Sequence, residues 1–347
     1  MDKVNVISNS ATIRDGLIQL EKISNGIYTL FVLDNSEILL GTVTDGDIRR
    51  YLIVSGSVED SISSAMNVEY KYVRSNEEQL LLHLHELRKL GIWIIPVIDD
   101  DKHIVDVYNL KTLKSILPID AVLMAGGKGE RLRPLTEKIP KPLVKVGDKC
   151  IIDYNIDRLI EYGVKYINVT VNYLKEQLHE HFATPRNGIK VDTVEEPKFL
   201  GTIGSIQFIN EFHNDTILLM NSDLFTNIDF EDFYFHFIEH DAMMSVAAIP
   251  YNVSIPFGIL DLDGRNIKGL LEKPKYNYYA NGGIYLIKRE TLDLIPKDEF
   301  FNATDLIEKL IDQGQSVIRY PLNGTWIDIG QHADLAKAQE LVRHLNN

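Results

Sequence analysis

Apolar and polar residues in the first third of the chain alternate in a way that occurs twice. The run Tyr28-Thr29-Leu30-Phe31-Val32-Leu33-Asp34 returns in type as Trp93-Ile94-Ile95-Pro96-Val97-Ile98-Asp99. Ahead of each run, apolar residues recur at helical spacing: Ile13, Leu17 and Leu20, then Leu80, Leu81, Leu84 and Leu87. After each run come an acidic turn and a second short strand pattern, at residues 38–43 and 104–108. Each copy presents an apolar sheet face that needs a partner, so the two copies are expected to pack on each other.

Past Pro118 the pattern changes. Residues 119–125 form a short apolar run ending in glycines, which predicts a buried strand feeding a loop. A second apolar strand, Ile217-Leu218-Leu219-Met220, leads into Asn221-Ser222-Asp223. At 347 residues the chain exceeds one ordinary domain. The expected division is residues 1–117, an α+β repeat, and residues 118–347, an α/β domain.

A hydrophobic fraction of 45% with 25% charged residues excludes a disordered chain. The formal net charge is −14 and both halves are acidic, with no Lys/Arg cluster, so a nucleic-acid partner is not expected. A few aimed cations and backbone N–H groups still suffice for a phosphate. Cys150 is the single cysteine, which excludes an intrachain disulfide and a cysteine-rich metal site. His83/His85 and His179/His181 are spaced i, i+2, do not share a helix face, and are expected to be solvated or core residues rather than a zinc site. Residues 1–10 lack the order of a signal peptide, and no run approaches the ~20 apolar residues of a membrane span. A cytoplasmic protein with no membrane partner is expected.

The candidate chemistry begins at Gly126-Gly127-Lys128-Gly129-Glu130-Arg131-Leu132-Arg133-Pro134-Leu135-Thr136. No Gly-Lys-Ser/Thr follows as in a Walker A loop, and Leu132 stands where a dinucleotide fingerprint requires glycine. Glycines let backbone N–H groups approach phosphate, and Arg131 offers a rigid fork for its oxygens. Lys141, between Pro140 and Pro142, adds a cation on a stiffened segment. Asp223 follows a strand, where a carboxylate reaches the crevice that binds ligands in open α/β sheets.

This stretch resembles the signature of the sugar-nucleotide pyrophosphorylases, and further matches run in order from Ile119 to about Ala338. The resemblance implies a Rossmann-like, mixed-sheet (GT-A-like) nucleotidyltransferase fold. It assigns nucleotide binding to Ala125, Gly126, Gly127, Gly129 and Arg131, and to Glu196, Gly201 and Thr202 in the segment Glu196–Gly204 that closes over the base. It places Mg²⁺ on Asp223 and on Asp328, in Trp326-Ile327-Asp328-Ile329-Gly330. Gly258, Glu272, Lys273 and Asn281 are implied for the sugar phosphate, and Arg131, Lys141 and Lys273 for catalysis. The pattern departs at Glu130, where Thr or Ser is usual, which removes one hydroxyl and leaves the backbone contacts intact. The implied reaction joins an NTP to a hexose or amino-hexose 1-phosphate and releases pyrophosphate, as in surface-polysaccharide precursor synthesis. The Leu-Gly-Thr-x-Gly form at Leu200–Gly204 is most similar to guanylyltransferases for glucosamine, mannose or heptose 1-phosphates. Uridylyl or thymidylyl transfer is the alternative within the family. A catalytically silent nucleotide sensor or oligomeriser is the rival of another class. No hexapeptide repeats follow, so an attached acyltransferase is not expected.

Residues 1–117 resemble a tandem CBS (Bateman) pair, chiefly through Gly41-Thr42-Val43-Thr44-Asp45-Gly46-Asp47-Ile48-Arg49-Arg50. Thr44 and Asp47 match positions that hold phosphate and ribose in that family, whereas the second copy has Asn109 and Thr112. Two roles stay open: homo-oligomerisation alone, with Asp47 capping the next helix, or binding of a regulatory purine nucleotide.

Overall fold

The repeat takes physical form as two sheets of identical plan. In the computed structural model, which describes residues 5–345 except Asn25, Ser55 and Glu78, the chain divides between Ile116 and Leu117 into two compact units. The first contains β1 (Val6–Ser8), α1 (Ile13–Glu21), β2 (Leu30–Leu33), β3 (Leu39–Val43) and α2 (Asp45–Val54), then β4 (Val73–Arg74), α3 (Leu80–Lys89), β5 (Ile94–Ile98) and β6 (Ile104–Asn109). In each copy the first strand pairs parallel with the second, and the second antiparallel with the third. Both hairpins shift register at equivalent places, Val32/Leu33 and Val97/Ile98. Phe31, Leu39 and Ile98 are buried together, so the copies share a core in which their apolar faces meet.

The second unit runs β7 (Ile119–Met124), β8 (Lys145–Val146), β9 (Lys149–Cys150), α4 (Ile151–Glu161), β10 (Tyr166–Val171), α5 (Lys175–His181), β11 (Val191–Glu195), β12 (Thr216–Asn221), β13 (Leu224–Thr226) and α6 (Phe230–Glu239). It continues with β14 (Met244–Ser254), β15 (Ile259–Asp263), β16 (Asn266–Leu271), β17 (Lys275–Lys288), α7 (Ala303–Asp312), β18 (Val317–Pro321), β19 (Trp326–Asp328) and α8 (His332–Leu345). Seven strands form one sheet in the order β11-β10-β7-β12-β17-β14-β18, parallel except for β17. Both faces are covered, which is why the centre of β12 and, apart from Asp120, β7 read as apolar runs. The buried Asp120 carboxylate accepts from the N–H groups of His213 (3.0 Å) and Asn214 (2.7 Å). Ile217, Leu218, Leu219 and Met220 have no exposed surface, and each such side chain contributes roughly 1.5–3 kcal/mol by leaving water.

From β7 the chain crosses to β10 and β11 on one side, then returns to place β12 on the other. The switch point therefore lies between β7 and β12, where ligands of open α/β sheets bind. Strands β14 and β17 run on past the sheet as a long antiparallel arm, tipped by the β15–β16 hairpin. Along β17 the residues up to Asn281 are largely exposed, and Gly282 to Ile287 are buried. Among the described residues, no helix is long and apolar enough to cross a membrane.

Candidate active site

Strands β7 and β12 end flush, with Met124 opposite Asn221, so both following loops leave from one edge. Ser222 donates twice to the Met124 carbonyl, from its backbone N–H (3.2 Å) and its hydroxyl (2.7 Å). These loops enclose a cleft of about 330 Å³, lined among others by Ala125, Gly127, Gly129, Arg131, Lys141, Ser222, Asp223 and Gly330.

Two glycines of the loop have a packing reason, whereas a Cβ at Gly127 would meet open space. A Cβ at Gly126 would collide with the Glu196 carboxylate. Gly129 sits at φ 61°, where a Cβ would come within 3.0 Å of Lys141 Cβ and 3.1 Å of Thr136 Cγ2. The Thr136 hydroxyl donates to the Gly129 carbonyl at 2.8 Å, and Tyr173 donates to the Thr136 carbonyl at 3.1 Å. A 3-10 turn at Glu130–Leu132 sinks Leu132 into a core with Ile327, Ile329 and α8. The turn leaves Glu130 exposed, 3.8 Å from Arg133, a solvated pair of small energetic weight. The Arg131 guanidinium lies against Gly330, where a Cβ would stand 3.2 Å from Nη2.

The carboxylates meet through a two-stranded ribbon. Strand β13 pairs antiparallel with β19, setting Leu224 opposite Asp328, and Ile329 N–H donates to the Asp223 carbonyl at 3.2 Å. Lys141 pairs with Asp223 Oδ2 and stands 3.8 Å from Asp328 Oδ1. Burial, and then the neighbouring Asp223, push the Asp328 carboxyl above its ordinary range, against the pull of Lys141 and Arg131. Asp223 Oδ1 and Asp328 Oδ1 are buried without a hydrogen-bond partner among the described residues. Two convergent carboxylates with spare buried oxygens suit a hard divalent cation such as Mg²⁺, whose other ligands are water and substrate phosphate.

Glu196 is buried at the end of β11, and burial pushes its carboxyl up. Its Oε2 accepts from Leu200 N–H at 3.1 Å, closing the turn that follows. Gly201, at φ 84°, and Thr202 are fastened to the start of α7. Thr202 N–H donates to Asn302 Oδ1 (3.1 Å), and Thr202 Oγ1 accepts from Ala303 N–H (2.9 Å). Gly201 and Thr202 do not line the 330 Å³ cleft.

The candidates on the sugar side occupy the arm. Gly258 faces Glu272, Lys273 adopts φ 46°, and Asn281 Oδ1 accepts from Gly283 N–H at 2.9 Å. All four candidates are exposed, and none lines the cleft. The base of the arm is nevertheless tied to the carboxylate ribbon. Trp326 Nε1 donates to the Gly282 carbonyl at 2.9 Å, and Gly283 packs on the Asn221 amide. Ser222, Trp326 and Gly330 thus serve the site without having been assigned a role, although they lie inside the motifs that carry the aspartates. Asn302 had no such signal, being an ordinary helix cap in sequence.

In the first unit, Thr44 lines a hollow of about 510 Å³ with Tyr28, Tyr70, Lys71, Trp93 and Lys111. Asp47 does not line it. Its Oδ2 accepts from Thr44 N–H (2.8 Å) and Oγ1 (2.6 Å), and its Oδ1 pairs with Arg50. This is a capping arrangement at the start of α2. The paired histidines of α5 diverge, His179 toward Thr193 and Glu195, His181 toward Asp153.

The sequence profile of the nucleotidyl transferase family matches residues 120–344. The bifunctional protein GlmU of Methanocaldococcus jannaschii is 32% identical over 232 residues, which are 64% of this chain and 54% of that protein. The mannose-1-phosphate guanylyltransferase catalytic subunit beta of Xenopus tropicalis is 27% identical over 223 residues, 62% of each chain. The chain therefore spans between half and two thirds of the length of these relatives. Among solved structures, HddC from Yersinia pseudotuberculosis has the same fold, with a TM-score of 0.50 at 24% identity over 64% of this chain and 99% of that one.

Proposed function

Because this chain belongs to the nucleotidyl transferase family, we propose that its second unit joins a nucleoside triphosphate to a sugar 1-phosphate and releases pyrophosphate. The observation that carries this reading is the meeting of Arg131, Lys141 and Asp223 in a glycine-lined cleft at the switch point of the sheet, with Asp328 beside it at 3.8 Å from the Lys141 ammonium. A sugar phosphate oxygen attacks the α-phosphorus, the bond from that phosphorus to the α–β bridging oxygen breaks, and the electron pair leaves on pyrophosphate. The attacking oxygen is already ionised at neutral pH, so the protein supplies position and charge rather than a base. The backbone of Gly127 and Gly129 admits the triphosphate, Arg131 holds the leaving pyrophosphate, and Lys141 holds the α-phosphate. Asp223 and Asp328 would hold Mg²⁺, which when bound neutralises phosphate charge. Gly258, Glu272 and Asn281 are assigned to the sugar, and Lys273 to its phosphate.

For the base we propose guanine, with a hexose or amino-hexose 1-phosphate as acceptor. The Leu200–Gly204 segment supports it, together with the likeness to a mannose-1-phosphate guanylyltransferase. The test is pyrophosphate release from the full chain with Mg²⁺, each common NTP and a set of sugar 1-phosphates. GTP is expected to be fastest. UTP or dTTP being fastest replaces the guanine assignment, and no release with any pair overturns the enzyme reading.

We read the first unit as a tandem CBS pair that binds a purine nucleotide in the hollow beside Thr44. Support comes from its two copies of one strand plan and from the aromatic and lysine side chains lining the hollow. Calorimetry on the full chain should show heat with an adenine nucleotide that Thr44→Val removes. Absence of heat with every purine nucleotide leaves homo-oligomerisation as the role of this unit.

A further inference from the structure

Away from the glycine-lined cleft, α4 begins and α5 ends at a cluster that the proposed reaction does not use. Cys150 is the N-cap of α4 and Asp153 lies within its first turn, on the same face. His181 is the last residue of α5. The Cys150 sulfur, an Asp153 carboxylate oxygen and a His181 ring nitrogen all lie within 4.8 Å of one another. Asp153 is only 5% exposed, while Cys150 and His181 are half-buried and reachable from solvent.

We propose that Cys150, Asp153 and His181 form a three-ligand site for a divalent transition metal of the zinc class. The donor set decides the class of ion. A thiolate and an imidazole with one carboxylate suit zinc or cobalt, whereas magnesium and calcium call for oxygen donors throughout. Zinc bonds of about 2.0–2.3 Å in a tetrahedron put donor atoms roughly 3.2–3.8 Å apart, so the cluster closes on an ion by small side-chain adjustments. Three protein ligands leave a fourth position for water. The thiolate and the carboxylate together neutralise the ion. His181 Nε2 now lies 2.8 Å from Asp153 Oδ1, a hydrogen bond that metal ligation replaces.

Arg186 is the competing cation, with Nη1 3.0 Å from Asp153 Oδ1. It is also gripped by Asp157 through Nε and through Nη2 at 2.9 Å. Asp157 can therefore keep Arg186 in place as the outer partner that orients Asp153 when the ion enters. Asn155, also in α4, donates to the Leu224 carbonyl at 2.8 Å, next to Asp223, so the helix that carries two of the ligands also contacts the carboxylate ribbon.

The single cysteine makes the test direct. Cobalt should bind the full chain with a thiolate-to-metal charge-transfer band, and zinc should displace it and slow the reaction of Cys150 with a thiol reagent at least about tenfold. Loss of an outer-shell partner alone commonly weakens metal binding about 10–100-fold, so Cys150→Ser and His181→Asn should each lose at least that much affinity. Asp223→Asn should bind zinc as the wild type does, which separates this site from the carboxylate pair. The proposal is overturned by absence of the cobalt–thiolate band, by affinity retained in both ligand variants, or by affinity lost in Asp223→Asn.

Discussion

Lys141 and Asp223, far apart in sequence, form an ion pair in the floor of the cleft, and the same ammonium lies 3.8 Å from Asp328. One lysine thus holds two carboxylates together. Replacing it with methionine leaves two acidic groups facing each other in a partly desolvated place. Lys141→Met should destabilise the fold by about 1–3 kcal/mol, less than a fully buried broken pair costs. Mg²⁺ should recover more melting temperature in the variant than it adds to the wild type. An equal Mg²⁺ effect in the two proteins would separate the lysine from the metal site.

Asp223→Asn keeps the shape of the side chain and removes its charge. Turnover should fall by at least about two orders of magnitude, the scale of losing one key charge-stabilising group. Steady-state pyrophosphate release at saturating Mg²⁺ measures it, and near wild-type turnover would reject Asp223 as a metal ligand.

Two glycines with positive φ should respond differently to alanine. Gly201 has φ 84° and a would-be Cβ only 2.6 Å from the Phe301 carbonyl oxygen, whereas Gly264 has φ 61° and open space around it. Gly264→Ala should cost about 1 kcal/mol, and Gly201→Ala about 2 kcal/mol or more, because backbone must move as well. Chemical denaturation of both variants checks the order.

The pH dependence of stability has a specific source in Glu196. Burial raises its folded pKa above the unfolded value, so the folded state holds the proton more tightly. Its contribution is most favourable below the ordinary glutamate range and is lost as pH rises through the raised folded value. Glu196→Gln retains an acceptor for Leu200 N–H and removes that loss. The variant should therefore gain on the wild type as pH rises from about 4 to 8, read as the difference in urea midpoints. A difference that does not change with pH would exclude Glu196 as the source.

The parts of this architecture written in neighbouring residues were readable from the chain. The two central strands β7 and β12 announce themselves as largely apolar stretches, and the loop between Gly126 and Thr136 by its glycines, whereas β10 and β11 mix polar residues into theirs. The repeat in the first unit was visible because both copies keep the same order of helical and strand patterns. Contacts between short, distant segments were not readable. The pairing of Leu224 with Asp328 joins two strands of three residues each, too brief to leave a pattern. Thr202 is engaged with Ala303 and Asn302 a hundred residues away, so its motif position says nothing of the helix it fastens. The spacing of His181 from His179 in sequence carries no sign of its partner Asp153, which sits on another helix.

Strand β17 belongs to the buried sheet at one end and to the exposed arm at the other. Sliding the arm by one residue would exchange Ile284 to Ile287 between the two covered faces of the sheet and break their fit to both, so register is locked by the core. The low-cost motion left to it is a bend where the pairing already slips, at Val246/Ala248. A hinge fixed at one point would let the arm tilt without changing which residues it presents. Under the proposed function, tolerance for differently sized sugars would then depend on the stiffness of that bulge as much as on the contact residues.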